Sequence, residues 1–523
     1  MIARLAPWVV FVLTAVFAIG HNYYIQRSLW IPDDAYISMR YAENFAAGKG
    51  LVYNEGERVE GYTTFLWVVL LSAGSFAGLN LETFAQTLGI VFSLGALLLT
   101  ARAHRFIPGL SVWTSLLATV FLGTCGLFTT WFMAGMETPL VAFCCLLAVL
   151  VNEQVRTRPR TPGLHVLLGV CCTCAAMSRP DAGLIFAVLA LDRFFDALRA
   201  RDVSFLLFPL TFTVLFGAYF YWRYTYYGYV FPNTFYVKVG GTWAQALRGM
   251  DYTGRFLGAA FCILAPVLAA FLIPGRAFEA AGLRRVLLVI AALHVAYVTT
   301  VGGDFMPSFR FYASIFPLIC LLAAFAVRAC RPPAIVALLF TALVIGHNVL
   351  MIVEHRDIGD RAGKGNVGRL GKRVGEWLRE NAPPDAVLAT NTAGSIPFFS
   401  KLTTIDMLGL CDAVIAHREL PIGYGTPGHE KGDGRYVLSR LPDYVQFGSS
   451  TGAASPAFLG DRELYNIPEF RRDYELKAYP IGGGAVVRLY VRKAEAGGKP
   501  LRAKAPGEAP PRTRARGRPA RVQ

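Results

Sequence analysis

Charged residues are scarce in this sequence. Asp, Glu, Lys and Arg make up 16% of its 523 residues, whereas 54% are hydrophobic. This composition lies outside the soluble globular range and indicates a chain that crosses a membrane many times. Acids are the scarcer sign, with 35 against 51 bases and a net charge of +16. Much of this excess lies in short loops and in the C-terminal tail, and no segment resembles a nucleic-acid-binding module, so nucleic acid is not expected as a partner.

The cysteine pattern lacks a disulfide framework. Cys171 and Cys174 have the CxxC spacing, but no second pair follows, so a metal or redox centre is not expected there. Cys411 stands alone in the polar part of the chain, which also argues against disulfide bonds. Eight of the ten cysteines lie within apolar runs, where cysteine acts as a small hydrophobic residue, namely Cys125, Cys144, Cys145, Cys171, Cys172, Cys174, Cys262 and Cys320.

Twelve apolar runs fill most of the first 353 residues, and the charges between them predict their orientation. The first run, 5–25, lacks a convincing small-residue cleavage site and is interpreted as an uncleaved signal-anchor helix. The others are 63–79, 84–101, 112–132, 138–151, 163–177, 182–195, 203–223, 254–273, 284–301, 311–328 and 333–353. Five basic clusters between runs are expected in the cytoplasm: Arg102/Arg105, Arg156/Arg158/Arg160, Arg199/Arg201, Arg276/Arg284/Arg285 and Arg328/Arg331.

Residues 63–79 are the exception in this topology. Arg4 places the N-terminus in the cytoplasm, and the basic clusters then alternate consistently if one early segment does not cross the membrane. The run 63–79 is short and contains Gly74 and Gly78, so we interpret it as an interfacial or re-entrant helix on the outer side. The prediction is about eleven spans in an inner (plasma) membrane protein, with the N-terminus inside and the C-terminus outside.

The composition changes after residue 353. An amphipathic helix is predicted over 366–381, and strands are predicted over 385–390, 443–447 and 483–493. This alternation predicts a small α/β domain outside the membrane. The expected fold class is therefore an all-α polytopic membrane domain followed by an α/β extracytoplasmic domain and a disordered basic tail, with boundaries at 1–353, 354–493 and 494–523. The tail is expected to be solvated, and contact with anionic lipid or wall polymer is the alternative.

Two adjacent aspartates, Asp33 and Asp34, lie in the first outer loop. Two like charges at this separation repel, so a cation or a shared proton must stabilise them, and such pairs are common in catalytic acids and bases. A solvated loop is the alternative, but the loop's position among other outer acids and bases favours a general base. Arg40 and Tyr41 follow in the same predicted helix. Arg40 is a candidate for holding a phosphate and Tyr41 for contacting a substrate.

Further acids and bases occupy the other predicted outer loops. Glu137 is interpreted as a second carboxylate facing the aspartate pair, with a simple helix N-terminal carboxylate as the alternative. Arg179 and Asp181 lie between two short spans, where an anionic head group fits, although a self-satisfied ion pair is also consistent. The candidate phosphate-binding residues are Arg40, Arg179, Lys238 and Arg310, and the candidate substrate-binding residues are Glu137, Asp181, Asp304 and Tyr41.

Seven stretches of the chain together form a recognisable pattern: PDDAYISMRYAENFAAGKGLVYNEGERVEGYT, GMETPL, SRPDAGL, FPNTFYVK, GGDFMPSFRF, IDMLGLCD and GHEKGDGRYVLSRLPDYV. They resemble the GT-C superfamily of glycosyltransferases that use polyprenyl-phosphate sugars. More narrowly, they resemble the terminal arabinofuranosyltransferases of actinobacterial cell walls and their relatives. The acidic pair supports only the superfamily, whereas GGDFMP and FPNTFYVK are narrower signals.

The resemblance implies an inverting transfer of a sugar to a glycan or glycolipid acceptor of the cell envelope. Asp33 or Asp34 would act as the general base on the acceptor hydroxyl, and fixed cations would stabilise the departing polyprenyl phosphate. No cofactor is assigned, and a divalent metal is left open. Arabinofuranose is implied as the sugar, with a hexose as the alternative.

A transporter or flippase of lipid-linked sugars is the competing function. Such proteins carry ionisable groups deep within their spans and are built from two related halves. Here the charges cluster at one face and the sequence contains no internal repeat that we detect. A third hypothesis is an inactive receptor or assembly subunit. The combination of acids and bases from several loops argues against this hypothesis.

Overall fold

The computed structural model describes residues 2–26, 31–272, 281–329, 338–347 and 367–502, together with residues 335 and 350. The first part is helical. Among the described residues, four helices are long and apolar enough to cross a membrane: α4 (Leu81–Ala101), α7 (Thr138–Thr157), α10 (Leu207–Tyr227) with the turn before it, and α14 (Ala281–Thr300). Apolar helical segments of 10–17 residues accompany them: residues 8–23 of α1 (Ile2–Gln26), α3 (Phe65–Phe76), α5 (Val112–Thr124), α8 (Pro162–Ser178), α16 (Phe316–Ala329) and α17 (Leu338–His347).

These helices show a multi-helical protein with several apolar segments. The count of about eleven spans and their orientation remain predictions. The helix α3 has 12 residues, fewer than the ~20 residues that a span needs, but α5 and α16, which were predicted to cross, are similarly short with 13 and 14 residues. The position of α3 on the outer side therefore stays a prediction. Two predicted runs are divided. The run 112–132 ends as a helix at Thr124 before a single turn, α6 (Gly126–Thr129), and the run 254–273 is split between α12 (Trp243–Ala259) and α13 (Phe261–Leu272).

Three helices carry most of the candidate residues, namely α2 (Asp33–Ala46), α11 (Asn233–Lys238) and α15 (Arg310–Ala313). The 18-residue helix α9 (Gly183–Ala200) follows the turn that contains Arg179 and Asp181. The helix α2 is amphipathic but largely buried, because one side packs on α3 and the other on the C-terminal domain. It therefore connects the membrane part to the α/β part.

The predicted small α/β region is present. It begins with α18 (Val367–Asn381) and contains a five-stranded sheet in the order β2-β1-β3-β5-β4. The strand β1 pairs in parallel with β2 and β3, and β5 pairs antiparallel with β3 and β4. The strands are β1 (Val387–Thr390), β2 (Thr403–Asp406), β3 (Tyr444–Gln446), β4 (Tyr474–Pro480) and β5 (Val486–Arg492), and the helices between them are α19 (Ser395–Ser400), α20 (Ala413–His417), α21 (Gly434–Ser439), α22 (Leu459–Tyr465) and α23 (Pro468–Asp473).

The sequence missed two of these strands. The strand β2 is only four residues long and reads TTID, which is too short for a recognisable pattern. The strand β4 is an edge strand whose charged residues Glu475 and Lys477 obscure the strand pattern.

The first nine residues of the predicted tail, 494–502, are described in the structure. Residues 494–496 form a short 3-10 turn, Lys499 bonds Asp443, and the Arg502 N–H donates to the Asn381 carbonyl oxygen. The first residues of the expected tail therefore pack on the α/β domain. Residues 503–523 lie outside the described part of the chain.

Candidate active site

The two adjacent aspartates at the start of α2 have different surroundings. The Asp33 carboxylate accepts hydrogen bonds from the backbone N–H of Gly394 at 2.8 Å and of Ser395 at 2.7 Å, and from the Ser395 hydroxyl. Asp33 thus holds the start of α19 against α2. Gly394 is required for this approach, because a Cβ there would lie 1.8 Å from the Asp33 carbonyl oxygen. Burial raises the pKa of Asp33, and the hydrogen bonds from Ser395 and Gly394 oppose that effect.

Asp34 makes no hydrogen bond or ion pair within the described part of the chain and lines two cavities. We call the first, of about 490 Å³, the arginine cavity. The second, of about 410 Å³, is the interdomain cavity. Three residues line both: Asp34, Lys238 and Leu410. Asp34 therefore lies where the two cavities meet.

Two buried arginines line the arginine cavity. Arg179 donates from Nε to Asp181 at 2.9 Å and from Nη1 to Glu137 at 3.2 Å. Arg310 donates from Nε to Asp304 at 2.7 Å. The Nη2 group of each arginine makes no hydrogen bond to any described residue. These Nη2 groups can therefore donate to a ligand in the cavity, while the carboxylates orient the guanidinium planes.

Arg310 keeps its charge despite burial. Burial lowers its pKa, but the carboxylates of Asp304 and Glu137 raise it by more, so that its pKa lies above the ordinary value. Asp34 adds to the same effect, which indicates that its charge acts on Arg310 across the cavity. A cation fixed in this way attracts an anion without needing to move.

The turn before Arg310 is shaped by its glycines. Gly302 and Gly303 both have positive φ, and a Cβ at Gly303 would lie 2.5 Å from the Tyr252 ring. Ser308 and Phe309 also adopt the left-handed conformation, which is unfavourable for residues with a side chain. This turn brings Asp304 and Arg310 together into an ion pair of 2.7 Å.

Lys238 is the third cation of the arginine cavity and differs from the arginines. It ends α11, is half-buried, and its ammonium group makes no ion pair or hydrogen bond within the described ranges. It also lines the interdomain cavity. Lys238 is therefore a cation without an ion pair on the same border as Asp34, which also makes no ion pair with a described residue.

The interdomain cavity lies between the membrane part and the α/β domain. Its aromatic side chains are close to one another, with the ring centroid of His429 at 5.0 Å from Phe305 and 5.7 Å from Phe458. Asn391 lines the same cavity, and its buried Oδ1 has no hydrogen-bond partner in the structure described. Flat rings beside polar groups suit a sugar, whose apolar ring faces stack and whose hydroxyls hydrogen-bond.

Seven of the ten predicted site residues line the arginine cavity: Asp34 and six others. These are Glu137, Arg179, Asp181, Lys238, Asp304 and Arg310. Asp33 lines only the interdomain cavity, and its carboxylate is occupied by α19. The predicted gathering of outer-loop acids and bases at one place is thus observed in the geometry, while the roles given to them remain proposals.

Arg40 and Tyr41 do not reach either cavity, contrary to the sequence interpretation. Arg40 is buried and donates to the carbonyl oxygens of Tyr53 at 2.7 Å, Leu402 at 2.8 Å and Pro397. Its position joins α2 to the α/β domain, so it is not free to hold a phosphate. The Tyr41 hydroxyl donates to the Val59 carbonyl oxygen at 2.6 Å and accepts from the Gly61 N–H at 2.9 Å. Both residues are structural because their polar groups are already satisfied.

Several residues that shape the site were not selected from the sequence. In the FPNTFYVK stretch only Lys238 was chosen, yet Asn233 donates to the carbonyl oxygens of Gly409, Leu410 and Asp412 and so fixes the loop that carries Leu410. The stretch itself was a signal that could have found it. Asn391 and Phe458 carry no such signal, because only the fold brings the α/β domain to Asp34.

No group of three or more His, Cys, Asp or Glu side chains with the geometry of a metal site occurs among the described residues. Three acids of the arginine cavity, Glu137, Asp181 and Asp304, instead pair with arginines. The described residues therefore suggest no ligand set for the divalent metal that the sequence left open.

The fold is that of the GT-C glycosyltransferases. ArnT from Cupriavidus metallidurans in the apo state superposes with a TM-score of 0.58 at 14% identity, covering 95% of this chain and 99% of that one. The same enzyme bound to undecaprenyl phosphate gives 0.54 at 14% identity, covering 76% and 85%. The Archaeoglobus fulgidus oligosaccharyltransferase gives 0.52 at 12% identity, covering 84% and 69%. At these identities the likeness concerns the fold alone.

Sequence comparison supports the narrower resemblance. A terminal β-(1→2)-arabinofuranosyltransferase of Mycobacterium tuberculosis is 30% identical over 243 residues, which are 43% of this chain and 38% of that protein. A protein of the same name from Corynebacterium glutamicum is 30% identical over 321 residues, which are 53% of this chain and 45% of that protein. The matches thus span less than half the length of either relative. Residues 360–491 match a family described as a domain of unknown function, DUF8728. The predicted resemblance to these transferases is confirmed.

Proposed function

We propose that this protein is a membrane glycosyltransferase that moves a sugar from a polyprenyl-phosphate donor to a glycan or glycolipid acceptor of the cell envelope. The observation that carries the proposal is the position of Asp34. Its carboxylate has no hydrogen-bond or ion-pair partner among the described residues, and it stands between a cavity with two buried arginines and a second cavity with a cluster of aromatic rings. A base between two substrates is what a direct transfer needs.

The donor phosphate belongs in the arginine cavity. Arg179 and Arg310 offer their Nη2 groups, and Lys238 offers an ammonium group without a carboxylate partner within the described ranges. The cavity is also lined by Phe231 and Phe235, which are 47% and 36% exposed and stack at 4.3 Å. Such an apolar rim suits a polyprenyl chain that arrives from the bilayer. The ArnT structure with undecaprenyl phosphate supports a donor of this chemical class.

The acceptor belongs in the interdomain cavity, on the other side of Asp34. An acceptor hydroxyl there gives its proton to the Asp34 carboxylate while its oxygen attacks the anomeric carbon of the donor sugar. The bond from that carbon to the phosphate oxygen breaks, and its electron pair leaves with the polyprenyl phosphate. Lys238 and the arginines stabilise the charge that develops on this phosphate. A single displacement of this kind inverts the anomeric configuration.

Arabinofuranose is the proposed sugar, and the outer face of the plasma membrane is the proposed location. The sugar rests on the two curated relatives, which are named as arabinofuranosyltransferases. The orientation rests on the basic clusters, which by the positive-inside rule lie in the cytoplasm opposite the loops that form the cavities. The α/β domain then lies outside as well, because it forms one wall of the interdomain cavity.

The test is transfer by the purified full chain in lipid nanodiscs. Polyprenyl-phosphate arabinofuranose and polyprenyl-phosphate hexoses are supplied in parallel with an arabinan oligosaccharide acceptor, and the product anomer is determined by NMR. Product from the arabinose donor with inverted configuration is expected. A control variant, Glu475→Gln, changes an exposed acid on the edge strand β4, outside both cavities, and should retain activity. Movement of the lipid-linked sugar across vesicles without any product would instead identify a flippase and overturn the proposal.

A further inference from the structure

The helix α12 exposes an apolar stripe. Trp243, Leu247, Met250 and Leu257 are 69%, 49%, 47% and 43% exposed. Their spacing of four, three and seven residues puts them on one face of the helix. The opposite face is buried and includes Tyr252. Four large apolar side chains in one line are more than the scattered exposed residues of an ordinary water-facing helix.

The stripe continues onto surfaces of helices that are themselves apolar. Phe261 and Leu268 of α13 extend it and are 62% and 57% exposed. The inner face of α12 packs on the candidate span α14, where the hydroxyls of Thr253 and Thr299 lie 3.1 Å apart. Within the described residues, no helix or strand covers the stripe. Because the stripe is continuous with the apolar helices, we expect the hydrocarbon around those helices to cover the stripe as well.

Charged and aromatic residues indicate the depth of the stripe. Asp251 and Arg255 form an ion pair of 2.8 Å beside it, with side chains 66% and 64% exposed. Such a pair is costly in hydrocarbon and favourable among head groups. Trp243, at the first turn of the helix, is a residue type that is enriched where hydrocarbon meets water. The stripe is therefore suited to the boundary between acyl chains and head groups.

We propose that the stripe on α12 docks into the bilayer surface on the side of the membrane where the two cavities lie. The partner is phospholipid, with the apolar side chains among the upper acyl segments and the Asp251–Arg255 pair at the head groups. This inference does not depend on the sugar transfer proposed above.

The inner face of the same helix holds the turn that leads to Asp304. Gln245 donates from Nε2 to the Val301 carbonyl oxygen at 2.8 Å, and Arg248 donates from Nε to the Gly302 carbonyl oxygen at 3.2 Å. Arg248 also pairs with Glu430 of the α/β domain at 2.9 Å. Docking of α12 thus fixes, through two side chains, the height of the arginine cavity relative to the lipid from which a polyprenyl chain would enter.

The test compares two nitroxide labels on the full chain in phosphatidylcholine nanodiscs, introduced as Leu247→Cys on the stripe and Asp251→Cys beside it. Both positions are exposed, so neither change removes a buried contact. The unsubstituted protein measures the background from native cysteines. Collision with oxygen, which concentrates in lipid, is compared with collision with a water-soluble nickel complex. The oxygen-to-nickel ratio at Leu247 should exceed that at Asp251 by at least about threefold.

Two results would overturn the proposal. Equal, nickel-dominated collisions at both positions would place the stripe in water, and shielding of Leu247 from both reagents with dipolar broadening would place a second copy of the chain on it. Fluorescence gives a second measurement. The signal of Trp243, obtained by subtracting the Trp243→Phe variant, should be quenched more by lipids brominated near the head group than by lipids brominated near the chain end. Absence of quenching by either lipid contradicts docking.

Discussion

The carboxylates of Asp33 and Asp34 are adjacent in sequence but serve different parts of the molecule. Asp33 accepts the N–H groups of Gly394 and Ser395 and fastens the α/β domain to α2, whereas Asp34 has no partner among the described residues and faces both cavities. Asp33 therefore fixes the first turn of α2, which also carries Asp34. A base held by its neighbour in this way is pre-organised for proton transfer.

This division predicts opposite effects for two conservative substitutions. Asp34→Asn removes the proton acceptor and should lower kcat by about 10²–10⁴-fold with little change in thermal stability. Asp33→Asn presents an NH₂ group to donors of the α19 backbone and should destabilise the protein by about 1–3 kcal/mol. Transfer assays and thermal unfolding of the purified variants measure both quantities. A large stability loss in Asp34→Asn together with normal stability in Asp33→Asn would reverse the assignment.

Substitutions of the cations in the arginine cavity should likewise differ in their effects on turnover and on stability. Lys238→Met removes a charge that no described carboxylate compensates, so turnover should fall by about 10²-fold while the unfolding temperature stays unchanged. Arg179→Ala leaves Glu137 and Asp181 buried without their cation and should destabilise the protein by about 3–5 kcal/mol in addition to any loss of activity. Steady-state kinetics and thermal unfolding are compared for the two variants. If Lys238→Met destabilises as strongly as Arg179→Ala, then Lys238 has a structural partner and its proposed role is wrong.

The sequence predicted the membrane class, the α/β region and the loops that meet at the site because these follow from hydrophobic runs, periodicity and charge. It could not separate residues that face a cavity from residues that face the protein. Arg40 and Asp34 lie six positions apart in one helix, and only the docking of α19 decides that Arg40 is enclosed. The sequence also could not predict that Asn391 and Phe458 line a cavity with Asp34, because more than 350 residues separate them from Asp34 in the chain.

The enclosed position of Arg40 gives a prediction that separates structure from substrate binding. In Arg40→Lys a single ammonium group replaces a planar guanidinium that bonds carbonyl oxygens on two domains, so at least one charged hydrogen bond is lost, at about 1.5–3 kcal/mol. Unfolding should begin at lower temperature, and KM for the lipid-linked donor should not change in the protein that remains folded. Arg310→Lys is the matched control, since it changes the same atoms inside the cavity and should raise that KM. An increased KM in Arg40→Lys with unaltered stability would restore Arg40 as a phosphate ligand.

The buried Asp406 predicts how stability depends on pH. Burial raises the pKa of Asp406 from 3.8 to about 7, although the N–H groups of Cys411 and Leu408 oppose this. The folded state therefore prefers the protonated form, so its stabilising contribution is complete below the unfolded pKa and is lost as pH rises toward about 7. A shift of this size corresponds to on the order of 4 kcal/mol, and the raised pKa of Asp412, which burial also causes, acts in the same direction.

Thermal unfolding between pH 4.5 and pH 7.5 should show a falling midpoint, and Asp406→Asn, which cannot ionise, should flatten that slope. The matched variant Asp433→Asn, which alters a helix cap of the same domain, should keep the slope of the unsubstituted protein. A midpoint that rises over this range, or a slope that Asp406→Asn leaves unaltered, would show that Asp406 is ionised in the folded protein.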